Sequence, residues 1–172
     1  MERNLIIKNN ADTYSREIDW LNSLINMRLE KHFSNNSSSS FNIIPPDCKN
    51  DNSIYANWIK KHDLKSFERL VIISSLAYIY TPNVFDKFLI KNKGLDKRFT
   101  EFGGKIDDKN SRFIPTLETL TFLHFGNEVA AKFNTQIIFN ENHLFNKKGI
   151  INFGEKNEND SVISRTITLS EE

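Results

Sequence analysis

A mostly α-helical fold closed by a C-terminal β-hairpin is what this sequence predicts. Three observations carry the expectation. Apolar residues recur at helical spacing through most of the chain. Alternation with a period of two appears only near the end, where Ile167 and Leu169 interleave with Thr166, Thr168 and Ser170. Phe is abundant and Gly scarce, 14 against 6, as in a packed helical core.

The first predicted helix covers residues 12–33, with Asp12 as its N-cap. Ile18, Leu21, Ile25 and Leu29 make one apolar stripe, and Trp20, Leu24 and Met27 make a second beside it. The arc is wider than one core contact requires, so Trp20, Leu24 and Met27 are candidate partner-binding residues. "SNNSSSS", residues 34–40, reads as a flexible low-complexity loop, and "IIPPD" as a stiff extended segment. These divide the chain into an N-terminal helix plus loop, 1–50, and a core domain, 51–172.

Within the core domain, "SIYANWIKKH" predicts a short amphipathic helix capped near Asn52 or Ser53. Residues 66–80, "SFERLVIISSLAYIY", are apolar nearly all round and predict a buried central helix. "TPNVFDKFLI" opens with Thr81 as N-cap and Pro82 in the first turn, its buried face being Val84, Phe85, Phe88 and Leu89. Thr116 caps a helix that ends at Gly126. A further helix carries Val129, Phe133 and Ile137 along one side, and Asn140 caps a last turn holding Leu144 and Phe145. "GIINFGE" and "SRTITLS" then form the hairpin, with a mobile polar tip. Compact helices followed by a hairpin are the outline of a winged-helix domain.

Composition excludes several functions. The single Cys48 leaves no disulfide framework or multi-Cys zinc site and fits a reducing compartment. No long apolar run predicts a membrane span, and the N-terminus does not read as a signal peptide. A net charge of +1 with interspersed signs does not favour nucleic acid. His32, His62, His124 and His143 are scattered, without a metal-ligand motif, so no metal or other cofactor is expected.

The most unusual segment is "KRFTEFGGK", residues 97–105. A Walker-type loop fails here, because Phe99 stands where the first Gly belongs and Ile106 follows the lysine. "GIINFGEK" fails too, with Glu155 in the lysine position. Glu101, between two aromatics, is the one candidate general base, yet it has no second catalytic group. The better reading is a structural loop: Phe99 and Phe102 anchor it, Glu101 pins it, and Gly103 and Gly104 supply backbone conformations that a Cβ disfavours.

The order of motifs — "IPPD", "SIYANWIKKHDLKSFERLVIISSLA", "RFTEFGG", "RFIPTLETLTFL", "HLFNKKGIINF" — resembles a known family. It is similar to the N-terminal winged-helix-like domain of the AAA+ ATPases associated with bacterial contractile injection systems, the phage-tail-like particles. "FTEFGG" followed by "FIPT-ET" is the specific part; Leu117 departs from the family's usual Gly. The resemblance spans roughly residues 15–170. It implies a non-catalytic adaptor domain, a fragment or standalone homologue of a longer ATPase. It further implies cytoplasmic work in assembly or remodelling of the particle. The partner implied is a protein, an injection-particle component or the parent ATPase ring, with self-association a further option. Two alternatives compete: a DNA-binding winged helix, and a free-standing enzyme using Glu101. Against the DNA reading, helix 116–125 carries Glu118 and no Arg or Lys, and Lys156 at the hairpin tip sits among Glu155, Glu158 and Asp160.

Overall fold

The computed structural model describes residues 2–34, 43–155 and 160–170. Most of the Ser/Asn-rich loop and the tip of the last hairpin, Lys156 and Glu158 included, lie outside the described residues. The chain is mostly helical, with small antiparallel hairpins. It divides into two units, Met1–Ile73 and Ser74–Glu172. That division falls inside a helix. No helix among the described residues is long and apolar enough to cross a membrane.

The first unit is built on α1, Glu2–Phe33. The helix starts ten residues before the expected cap at Asp12, which is an interior position. Side-chain bonds to the preceding turn run through this region, from Asn10 Nδ2 to the Ile6 carbonyl and from Thr13 Oγ1 to the Asn9 carbonyl. Polar side chains there bond back to the preceding turn without ending the helix. The buried face of α1 is Thr13, Glu17, Trp20, Leu21, Leu24, Ile25, Arg28 and Leu29. α2, Ile54–His62, begins at Ser53, whose hydroxyl accepts the Ala56 N–H at 3.0 Å. It packs on α1, and Asn10 Oδ1 accepts the Tyr55 N–H. α3, Ser66–Tyr80, has the predicted bounds. Leu70, Val71, Ile72, Ile73 and Ala77 are buried, whereas Ile79 and Tyr80 are exposed.

The second unit is organised around aromatic rings. Pro82–Leu89 is a 3-10 helix, and Thr81 makes no side-chain cap bond to it. Val84, Phe85 and Phe88 are its buried residues. Two hairpins that the sequence did not announce follow: β1, Lys91–Asn92, with β2, Lys97–Arg98; and β3, Lys105–Ile106, with β4, Phe113–Ile114. α4, Leu117–Phe125, is capped by Thr116 and ends at Gly126, as predicted. Leu117, Leu120, Phe122 and Leu123 are buried, and so are Thr119 and Thr121. α5, Val129–Asn134, runs on into a 3-10 turn, Thr135–Phe139. α6, Leu144–Lys147, is capped by His143 rather than Asn140: His143 Nδ1 accepts the Phe145 N–H at 3.3 Å. β5, Ile151–Phe153, pairs antiparallel with β6, Ile167–Leu169, which is the expected terminal hairpin. Its Ile167 N–H donates to the Pro115 carbonyl, tying the hairpin to the start of α4.

Phe88 stands 5.1 Å from Phe113 and 5.6 Å from Phe102, ring centre to ring centre. Phe102 continues the stack to Phe122 at 5.0 Å and Phe99 at 5.2 Å. Such pairs add about 0.5–1.5 kcal/mol each beyond the area they bury.

Candidate functional site

The segment 97–105 wraps the start of α4. Phe99 begins a single 3-10 turn, Thr100–Phe102, and Phe102 is buried in the aromatic stack. Glu101 lies half-buried on this turn. Gly103 and Gly104 follow with φ of 61° and 78°. At Gly103 a Cβ would stand 2.9 Å from the Cβ of Glu118, and at Gly104 it would stand 2.0 Å from Cζ of Phe113. Both glycines are therefore required twice over, by backbone conformation and by lack of room. The Gly104 N–H donates to Thr116 Oγ1 at 3.1 Å, and that same hydroxyl accepts the Thr119 N–H as the helix cap. The loop and the helix thus share one anchor.

A cleft of 400 Å³ opens beside this loop, between Lys97–Thr100 on one side and the glycines and Glu118 on the other. The Glu118 carboxylate is met by Lys132 Nζ at 3.1 Å. The Arg98 guanidinium lies over the ring of buried Phe113, 5.9 Å from its centre. Neither Lys97 nor Arg98 was singled out from sequence. The signal was present: two adjacent cations immediately before "FTEFGG".

The proposed second stripe of α1 is placed differently. Trp20 and Leu24 are 5% and 1% exposed, and Met27 is 37% exposed. Of the three, only Met27 is offered to a partner. Trp20 Nε1 donates to the Ile43 carbonyl at 3.5 Å, so the extended segment 43–47 covers a face that appeared free.

What that face also holds is a buried charge cluster. Glu17 is fully buried and pairs with Arg69 of α3. Tyr55 Oη donates to its other carboxylate oxygen at 3.0 Å. Arg69 lies over the Trp20 ring and reaches Cys48 Sγ at 3.5 Å. Burial pushes the Glu17 carboxyl up, against the opposing pull of Arg69 and Tyr55. Burial likewise raises Tyr55 and the Cys48 thiol. Arg28, also withdrawn from water, is lowered to about 10. A charge between Thr13 and Trp20 on an apolar helix face was the sequence signal for this cluster. Nearby, Asp51 accepts from Thr13 Oγ1 at 2.6 Å and from the Ser53 N–H at 2.8 Å, and it pairs with Arg16. These bonds ground the loop after residue 47 on α1. Among the described residues no group of three His, Cys, Asp or Glu is arranged to hold a metal ion.

The apolar side predicted for the helix after Gly126 faces outward. Val129, Phe133 and Ile137 are 65%, 70% and 67% exposed, and Phe125 at the end of α4 is 38% exposed. The inward face is instead Ala131, Thr135 and Ile138. Thr135 and Thr121 share a hydroxyl hydrogen bond at 3.0 Å, and the small residues let α5 approach α4 closely. Comparison with family models, with curated proteins and with solved structures returned no match.

Proposed function

We propose that this chain is a non-catalytic protein-docking module. We read it as a winged-helix-like N-terminal domain of an AAA+ ATPase, working in the cytoplasm on assembly or remodelling of a contractile injection particle. The particle assignment rests on the ordered motifs described above. The docking assignment rests on one structural observation, the exposed stripe of Val129, Phe133 and Ile137. Val129 and Phe133, four apart, share one face of α5, and exposed Ile137 follows in the adjoining 3-10 turn. With Phe125 they leave on the order of 400 Å² of apolar surface in water, within the range of the largest, often functional patch on a monomer. That is less than the ~800 Å² per partner of a stable interface, so the stripe serves as the apolar centre of a wider polar contact. The partner is a particle component or the ATPase ring. α4, the candidate for a DNA recognition helix, has Leu117 and residues 119–123 buried, which leaves it no free face to lay in a groove.

The test is co-sedimentation of the chain with purified contractile injection particles, and separately with the ATPase module of the parent protein. Phe133→Asp with Ile137→Asp should reduce retention by about tenfold or more, as loss of a central anchor does. Both side chains are exposed, so the thermal midpoint should hold. Undiminished retention by the doubly substituted chain on both would refute the assignment.

A further inference from the structure

We propose that the cleft beside Gly103 and Gly104 is a carboxylate-binding pocket that receives an Asp or Glu side chain of the docked protein; this rests on the docking reading above. Arg98 carries the proposal. It is half-buried, with its guanidinium over the ring of Phe113. Phe113 is buried, packed against Gly104 and near the rings of Phe85 and Phe88. A guanidinium stacked in this way loses little freedom when it binds, and its planar fork matches a carboxylate. Among the described residues neither Arg98 nor Lys97 has a carboxylate partner for its side chain. Glu118 also lines the cleft, but its charge is compensated by Lys132. Arg98 and Lys97 both line the cleft.

The two loop glycines do not supply the free donors of a phosphate-binding turn. Phosphate-binding turns present free backbone N–H groups. Here the Gly103 N–H already donates to the Thr100 carbonyl and the Gly104 N–H to Thr116 Oγ1, each at 3.1 Å. The side-chain donors lining the cleft are one fork, one ammonium and the Thr100 hydroxyl. The planar fork pairs with the two oxygens of a carboxylate, and the ammonium adds a second charge beside it. The glycines bind no phosphate themselves; they position the aromatic ring that holds an anion-binding arginine.

The experiment is an NMR titration of the ¹⁵N-labelled chain with a capped tetrapeptide of alternating Asp and Glu, and in parallel with inorganic phosphate at matched ionic strength. The expected result is saturable movement of the Arg98 side-chain resonance together with the amides of residues 97–104. Arg98→Lys, which keeps the charge and loses the fork, should weaken the peptide by about tenfold, and Lys97→Gln by less. Peptide shifts spread over scattered lysines, or equal peptide affinity in a folded Arg98→Lys chain, would overturn the proposal. So would phosphate binding at least as tightly as the peptide. If Arg98→Lys does not fold, the wild-type titration decides alone, by whether Arg98 and the loop amides move together. A chain that titrates here but fails co-sedimentation loses the docking role; one that sediments but does not titrate loses the pocket.

Discussion

Replacing Gly104 by alanine drives a methyl group into a buried ring. The new Cβ would lie 2.0, 2.4 and 2.7 Å from three carbons of Phe113, all well inside contact distance. The ring is confined, at 1% exposure, with Phe88 5.1 Å and Phe85 6.3 Å away. Two costs add. A residue with a Cβ held in the left-handed region, here at φ 78°, costs about 1–2 kcal/mol. Overpacking a rigid core costs about 1–3 kcal/mol. The sum, about 2–5 kcal/mol, corresponds to a fall in the thermal midpoint of roughly 4–20 °C for a chain of this size. Circular dichroism during thermal and urea unfolding measures it. A double-mutant cycle with Phe113→Leu isolates the steric part, because leucine lacks the outer ring atoms that collide. The doubly substituted chain should be more stable than the two single losses predict, by about 1–3 kcal/mol. A midpoint for Gly104→Ala within a degree or so of wild type, or strict additivity in the cycle, would refute the reasoning.

Three further outcomes follow from the same contacts. Arg69→Met alone strands the buried Glu17 carboxylate and should cost about 3–5 kcal/mol, while Glu17→Leu with Arg69→Met should recover part of that loss, staying about 1–3 kcal/mol short of wild type because the Tyr55 hydroxyl is left unpaired; urea unfolding of the set decides. Asp51 is opposed by burial, but the bonds from Thr13 and Ser53 and the charge of Arg16 outweigh it and hold its pKa below the ordinary 3.8. Ionised Asp51 therefore stabilises the fold above about pH 3.8, and this is lost as pH falls through the lower folded value, so the stability gap between wild type and Asp51→Asn should shrink from about pH 6 to about pH 3. Duplex DNA should bind negligibly at physiological salt, because non-specific affinity comes from neutralised phosphates and the net charge is only +1; salt-dependent micromolar binding in a fluorescence titration would contradict this.

Helices with explicit stop and start chemistry were legible in the sequence. Ser53, Thr116 and Gly126 each act through a local hydrogen bond or backbone conformation, so α2 and α4 could be bounded without the fold. The start of α1 was not legible, since no cap announces it and the residues before Asp12 are held by side-chain bonds within the helix. β1 to β4 are strands of two residues, too short to show alternation. The positive φ of Gly103 and Gly104 and the burial of Phe102 were readable from the residue types. The role of Arg98 was not, because it depends on Phe113, which the fold brings from the next hairpin. The stripes on α1 and α5 show one general limit: periodicity identifies an apolar face, but not whether another part of the chain covers it. The segment 43–47 runs past Trp20, whereas Phe133 stays exposed.

α3 runs through the division between the two units, which splits its 15 residues roughly in half. Isolated helices shorter than about 12–15 residues are marginal in water, so neither half would persist as a helix unaided. The chain thus has no natural seam at Ile73 and Ser74. An exchange of modules at that point, whether by recombination or in the laboratory, would hand each product a frayed end where a buried helix had been. Intact inheritance of either unit requires a crossover before Ser66 or after Tyr80. The helix therefore constrains how these two pieces can be shuffled, independently of what either one binds.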